Sequence, residues 1–128
     1  MPLLVKIAPD LDHSQIGEVL GSVLDLGLDG LVATNTTLDK SSVRLKEEGG
    51  LSGRPVAKKS TEIIRWIFQE TGGRLPLIGV GGIFTADDAR EKLDAGASLL
   101  QLYTGFVYEG PLAVSKICAG LVNDHGGR

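Results

Sequence analysis

Two short apolar runs constrain this chain more than any other feature, because each ends in residues suited to close backbone approach. They are residues 77–83 (LIGVGGI) and residues 99–104 (LLQLYT). Neither run alternates polar with apolar residues, so each predicts a strand buried on both faces of a parallel sheet. Gly81 and Gly82 lack a Cβ atom, which lets a ligand lie directly on the backbone. Two such strand-to-helix turns indicate a phosphate cradle of the kind that barrels place after their last two strands.

The same pattern, a short strand followed by an amphipathic helix, occurs four times. The predicted strands are residues 3–8, 30–34, 75–80 and 98–102. Strand–helix units in series give right-handed crossovers and a parallel α/β sheet. Periodicity does not show the strand order, so half of a (β/α)8 barrel and a small doubly wound sheet both remain possible.

Helix boundaries follow from capping residues. Asp12 and Thr85 are predicted N-caps, and Gln15 completes a capping box with the first of them. Pro55 suits the first turn of the second helix, and the last helix is predicted to start near Pro111. The inward-facing positions are expected to include Phe68, Trp66, Val114 and a buried thiol, Cys118.

Composition excludes several classes of protein. The 128 residues favour one domain, and the net charge of −3 gives no basic face, so no nucleic-acid partner is expected. No apolar run reaches the ~20 residues that span a bilayer. A single cysteine rules out a disulfide framework and fits a cytoplasmic setting. His13, expected to be exposed, and His125 lack partners at ligand spacing, so no metal is expected.

Polar residues stand where the first two strands end. Lys6 lies in an apolar strand, so it either stabilises negative charge on a ligand or extends to solvent at a sheet edge. Thr34, Asn35 and Thr36 close the second strand, at the end where barrel enzymes keep their sites. The amide of Asn35 can donate to and accept from a planar ring, although a turn or helix cap is the simpler reading.

A long loop, residues 35–54, separates the second strand from the second helix, and such loops are usually functional. Its segment 49–53 (GGLSG) predicts either an anion nest or a bend before the helix. After the fourth strand come Tyr103 and Thr104, where a helix start would point free N–H groups at a phosphate. Core packing is the alternative for Tyr103.

Five segments together resemble the C-terminal half of class 2 dihydroorotate dehydrogenases, quinone-dependent flavoproteins of pyrimidine (UMP) synthesis. They are residues 5–11 (VKIAPDL), 33–37 (ATNTT), 49–53 (GGLSG), 78–83 (IGVGGI) and 95–104 (AGASLLQLYT). The resemblance implies that residues 1–128 form four β/α units, the C-terminal half of a (β/α)8 TIM barrel with parallel strands.

The resemblance also implies FMN as cofactor and dihydroorotate, oxidised to orotate, as substrate. Lys6 would lie against the flavin ring and Thr34 would contact it, while Asn35 and Thr36 would bind the substrate. The FMN phosphate would be held by the backbone around four residues: Gly53, Gly82, Tyr103 and Thr104. A proton would leave C5 of dihydroorotate, a hydride would pass from C6 to flavin N5, and the electrons would pass to a quinone.

The family's catalytic serine has no counterpart here, since Ser14, Ser41 and Ser52 do not lie in its motif. The chain is therefore expected to hold no catalytic residue and to be inactive alone. The resemblance further implies that the N-terminal helices, which meet quinone and attach the intact cytoplasmic enzyme peripherally to the membrane, have no counterpart in these residues. Open sheet edges near Val5 and Leu100 predict a homodimer that completes a barrel, or aggregation.

Three other interpretations remain open at this point. The chain could be a scaffold that binds phosphate or flavin without catalysis. It could be a sugar-phosphate isomerase, which needs a carboxylate base at a strand end, for which Asp10 is a distant candidate. It could resemble class 1 enzymes of the same family, which use a soluble acceptor, although residues 6–10 and 34–37 match class 2 better.

Overall fold

A single parallel sheet organises the computed structural model, which describes residues 1–44 and 47–123. Its strands are β1 (Leu4–Ile7), β2 (Gly30–Ala33), β3 (Leu77–Val80) and β4 (Leu99–Gln101). All three strand pairs are parallel, and the spatial order β1-β2-β3-β4 follows the chain. A doubly wound sheet reverses its order at a switch point, and this sheet does not. The predicted series of parallel β/α units is confirmed, with the strand order of a barrel wall.

Helices connect the strands and extend beyond the last one. They are α1 (His13–Asp25), α2 (Ala57–Thr71), α3 (Ala86–Asp94), α4 (Thr104–Glu109) and α5 (Ala113–Asn123). The two predicted N-caps are confirmed, because the side chains of Asp12 and Thr85 both accept from the third helical amide in complete capping boxes. Pro55 lies in a 3₁₀ turn directly before α2. No helix in the described ranges is long and apolar enough to cross a bilayer.

The main core lies between the sheet and the helices α1 and α2. Ile16, Leu31, Ile64 and Leu77 are completely buried in it. At the edge of this core the rings of His13 and Trp66 stack, with centroids 4.7 Å apart and planes 3° from parallel. The predicted packing role of Trp66 is therefore confirmed, and the residue that its ring packs against is an exposed histidine. A smaller cluster, Ile83, Ala89 and Ile117, joins α3 to α5.

The helix expected near Pro111 begins at Ala113, and α4 begins at Thr104, where a helix start was expected after the fourth strand. Several predicted burials are wrong, including that of residues 99–104 on both faces, since Leu99 is 63% exposed. Val114 is 48% exposed and Cys118 is also exposed, because α5 meets α3 through the neighbouring face that carries Ile117.

Phe68 was also expected to face inward, yet it is 42% exposed. Its ring covers two glycines, and a Cβ atom on Gly73 would lie 2.9 Å from it. His125 lies outside the described residues, as does the rest of the C-terminal tail.

Candidate functional site

A cavity of about 230 Å³ lies at the carboxyl ends of the strands. Its lining includes all eight residues predicted for the site: Lys6, Thr34, Asn35, Thr36, Gly53, Gly82, Tyr103 and Thr104. Other parts of the wall are Ser52, Val56, Val80, Gly81, Ile83, Gln101, Leu102 and Gly105. The volume is below the ~300–1,000 Å³ of typical small-molecule sites, so these walls enclose only part of a ligand of that size.

Glycines form one wall because side chains would not fit there. Gly53, Gly81 and Gly82 have φ angles of +78°, +119° and +71°, which only glycine adopts without strain. A Cβ atom on Gly82 would overlap the Cβ of Ala57 and lie 2.8 Å from its Cα. The glycine backbone therefore packs closely against Val56, Ala57 and Thr104, in turns that also line the cavity.

Thr34 lines the cavity and carries a buried polar atom without a partner among the described residues. The residue is 1% exposed, and its Oγ1 has no hydrogen-bond partner in the described parts of the chain. Its backbone N–H donates to the carbonyl of Val80 at 3.0 Å, which fixes the turn after β2. A buried hydroxyl without a partner is costly, so this atom fits a ligand that offers one.

Lys6 carries the charge of the cavity. Among the described lining residues it is the one with an ionic side chain, and it is exposed rather than buried in its strand. Its ammonium is therefore solvated until a ligand enters. Tyr103 is 77% exposed, so the alternative of core packing for that residue is wrong.

The long loop is fastened at two places next to residues that line the cavity. Thr37 and Leu51 exchange backbone hydrogen bonds of 3.0 and 2.7 Å in an antiparallel bridge. The carboxylate of Asp10 accepts from the hydroxyl of Thr37 and, at 2.8 Å, from the amide of Leu38. Lys59 on α2 adds an ion pair to Asp10 at 3.3 Å. These contacts hold Asn35 and Thr36, at the start of the loop, against the cavity.

The carboxylate of Asp10 binds the long loop rather than facing the cavity. Burial acts to raise its pKa, but the bonds from Thr37 and Leu38 and the Lys59 ammonium outweigh that and hold the pKa below its ordinary value. Its oxygens are engaged, and it does not line the cavity. Within the described lining there is no Asp or Glu, so the carboxylate base that an isomerase requires has no candidate here.

Two contributions of side chains were not among the predicted site residues. Ser52 accepts a 2.8 Å hydrogen bond from the hydroxyl of Thr104, which joins the glycine-rich loop to α4. Lys92 is 2% exposed, although it stands in a charged stretch of α3 that resembles a solvated face. The glycine-rich segment was a signal for Ser52, whereas nothing in the local sequence marked Lys92.

A comparison with known families decides the assignment. The family model of dihydroorotate dehydrogenase matches residues 1–124. This chain belongs to the dihydroorotate dehydrogenase family. The assignment removes the isomerase interpretation and agrees with the resemblance carried by the five sequence segments.

Curated members of the dihydroorotate dehydrogenase family are similar along the whole chain. "Dihydroorotate dehydrogenase (quinone)" of Cellvibrio japonicus is 50% identical over 100% of this chain and 39% of its own length. The proteins of the same name from Trichodesmium erythraeum and Proteus mirabilis are 48% and 54% identical over 98% and 91% of this chain. The chain therefore spans somewhat more than a third of the length of these relatives.

Solved structures of the family have the same backbone arrangement. The structure of the Eimeria tenella dihydroorotate dehydrogenase in complex with ferulenol superposes with a TM-score of 0.90 at 39% identity, over 98% of this chain and 35% of that one. The ligand-free structure from the same organism gives the same score. The four parallel β/α units are thus a segment of a dihydroorotate dehydrogenase barrel.

Proposed function

We propose that this chain forms the FMN phosphate site and part of the substrate site of a quinone-dependent dihydroorotate dehydrogenase, which oxidises dihydroorotate to orotate in pyrimidine synthesis. One observation carries the proposal. In a chain of this family, a cation, an unpartnered buried hydroxyl and a bare glycine wall line the same cavity.

The residues present fit FMN. The backbone around Gly53, Gly82, Tyr103 and Thr104 would hold its phosphate, since these residues line one cavity at glycine turns and at the start of α4. The free hydroxyl of Thr34 would bond the flavin ring. Bound flavin supplies a hydride acceptor, which no side chain provides.

Two further roles concern the charge of the reduced flavin and the binding of the substrate. The ammonium of Lys6 would stabilise negative charge on the reduced ring, because it is the ionic group of the described lining. Asn35 and Thr36 would orient the substrate, whose ring offers C=O and N–H groups that match an amide and a hydroxyl. The side-chain amide of Asn35 stays beside the cavity because the backbone N–H of Asn35 donates a 2.8 Å hydrogen bond to the carbonyl of Ile7.

No residue of the described cavity is suited to remove the C5 proton. Its lining has no carboxylate, histidine or cysteine, and the hydroxyl of Ser52 already accepts from Thr104. We therefore place the catalytic serine, the quinone contacts and any membrane attachment in other parts of the full-length enzyme. The alternative of a non-catalytic flavin-binding scaffold predicts the same cavity, so turnover is needed to separate the two.

Ligand binding and turnover test the proposal together. FMN and riboflavin, which lacks the phosphate, are titrated into the purified chain and followed by flavin fluorescence. We expect FMN to bind at least tenfold more tightly, the order of effect for losing a well-held charged group. Equal affinities would contradict the phosphate site. With FMN bound, dihydroorotate-dependent dye reduction should be absent, and measurable turnover would contradict the placement of the base.

A further inference from the structure

Lys92 is a buried cation directly behind the glycine wall. Its Nζ donates hydrogen bonds of 2.7 Å to the carbonyl of Ala57 and 2.7 Å to the hydroxyl of Thr61, both on α2. Thr61 in turn donates to the same carbonyl at 3.0 Å, which closes a triangle of three groups. The ammonium thus holds the first turn of α2 against α3.

Ala57 is also the residue that packs on the cavity wall. A Cβ atom added to Gly82 would lie 2.4 Å from the Cβ of Ala57 and 3.0 Å from the carbonyl oxygen of Gly53. Val56, directly before Ala57, lines the cavity. Lys92 does not line the cavity, so it acts on the site through Ala57 and through its charge.

Both bonded acceptors of Lys92 are neutral. Within the described residues no carboxylate lies in ion-pair distance of its Nζ; the charges of Glu91 and Asp88 on α3 act on it from farther away. Burial lowers the pKa of Lys92 to about 8, and those two carboxylates oppose the shift. A buried ammonium without a bonded counter-ion is costly, and a bound anion nearby would offset that cost.

We propose that Lys92 is a positioning residue for the anion site: its buried charge favours a dianionic group in the cavity, and its bonds hold the start of α2 against Gly82. The identity of the anion, the FMN phosphate, rests on the proposed function. The effect of Lys92 does not, because any small dianion in the cradle should respond to the same charge.

Sulfate tests this without the flavin, since it stays dianionic across the pH range used. Binding is followed by the methyl NMR signals of Val56 and Ile83, which line the cavity, at constant ionic strength. At pH 7 we expect Lys92→Met to weaken sulfate binding on the order of tenfold. The matched control is Lys58→Met, which removes the same charge from an exposed position on α2 and should change binding less than twofold.

The pH profile gives a second readout that a merely structural role would not produce. Affinity of the unmodified chain should fall between pH 7 and pH 9 as Lys92 loses its proton, and Lys92→Met should show no such fall. If Lys92→Met does not fold, the profile of the unmodified chain decides alone. Sulfate binding that is absent, independent of pH in this range or unchanged by a folded Lys92→Met variant would overturn the proposal. Sulfate binding with this profile but without FMN binding would overturn the proposed function and leave this inference standing.

Discussion

The hydroxyl of Thr104 donates a 2.8 Å hydrogen bond to the hydroxyl of Ser52, across 52 residues of sequence. The bond ties the first residue of α4 to the glycine-rich loop, and both residues line the cavity. Packing supports it, because a Cβ atom on Gly53 would lie 3.1 Å from the Cγ2 of Thr104. Two walls of the cavity are therefore held together by one pair of side chains.

Thr104→Val should release the glycine-rich loop while keeping the shape of the side chain. The lost hydrogen bond is worth about 1 kcal/mol, so amide exchange of residues 49–53 should accelerate roughly fivefold. Hydrogen exchange with mass spectrometry measures this. Ser14→Ala, which removes a hydroxyl from an exposed position on α1, should leave the loop unchanged. Equal protection in both variants would show that the bond does not hold the loop.

Gly82→Ala should abolish FMN binding and destabilise the fold. The new Cβ would overlap Ala57 and force an unfavourable φ of +71°, at a cost of about 2–4 kcal/mol. Gly21→Ala is the control, because that glycine lies within α1 with nothing near its Cβ position. This control should bind FMN normally and gain up to about 1 kcal/mol in unfolding free energy, measured in urea. Normal flavin binding by Gly82→Ala would exclude the glycine wall as the phosphate site.

The parts of the site that were predictable are those fixed by backbone chemistry. Bare glycines and polar residues at strand ends are visible in sequence, and parallel strands bring their carboxyl ends to one edge, so the eight predicted residues share a cavity. The buried role of Lys92 was not predictable, because it depends on which face of α3 meets α2. The same limit explains Cys118, whose exposure is decided by the contact between α5 and α3.

Asp10→Asn should weaken the attachment of the long loop in a pH-dependent way. Because the pKa of Asp10 is lower in the folded state, its contribution is present above the ordinary value of 3.8 and is lost as the pH falls through the lower folded value. At pH 7 we expect a loss of about 1 kcal/mol in unfolding free energy, limited by solvent access. The difference from the unmodified chain should shrink towards pH 3.

Asp25→Asn provides the comparison for that experiment. Asp25 is the exposed last residue of α1, where a negative charge opposes the helix dipole. Its removal should be neutral or slightly stabilising at pH 7. An equal loss in both variants would mean that the loop contacts of Asp10 add nothing to stability.

The buried ammonium of Lys92 should make stability rise in mildly alkaline solution. Its folded pKa of about 8 lies below the ordinary 10.5, so the unfolded chain binds more protons between these values and its contribution increases with pH. The rise amounts to at most about 3 kcal/mol. Chemical unfolding between pH 7.5 and 10 should show it in the unmodified chain and in Lys58→Met, and it should be missing in Lys92→Met. Parallel curves for all three would place the titration elsewhere.

The outer strands of the described sheet should cause self-association. β1 and β4 each pair on one side, and Leu99 on β4 is 63% exposed. Free edges pair readily with another chain, so sedimentation at micromolar concentration should show dimers or larger species. Leu99→Lys should shift the population towards monomer. Leu26→Lys, at a 73% exposed leucine away from the sheet, should not, and a stable monomer of the unmodified chain would contradict the prediction.

The stacked rings of His13 and Trp66 give the molecule an optical signal of its own. Trp66 is its one tryptophan, and the contact joins α1 to α2 at a place that does not line the cavity. Its emission consequently reports whether those two helices remain together, independently of what occupies the strand ends. For each substitution discussed above, a fluorescence measurement can therefore distinguish damage to the packing of the two helices from damage confined to the cavity.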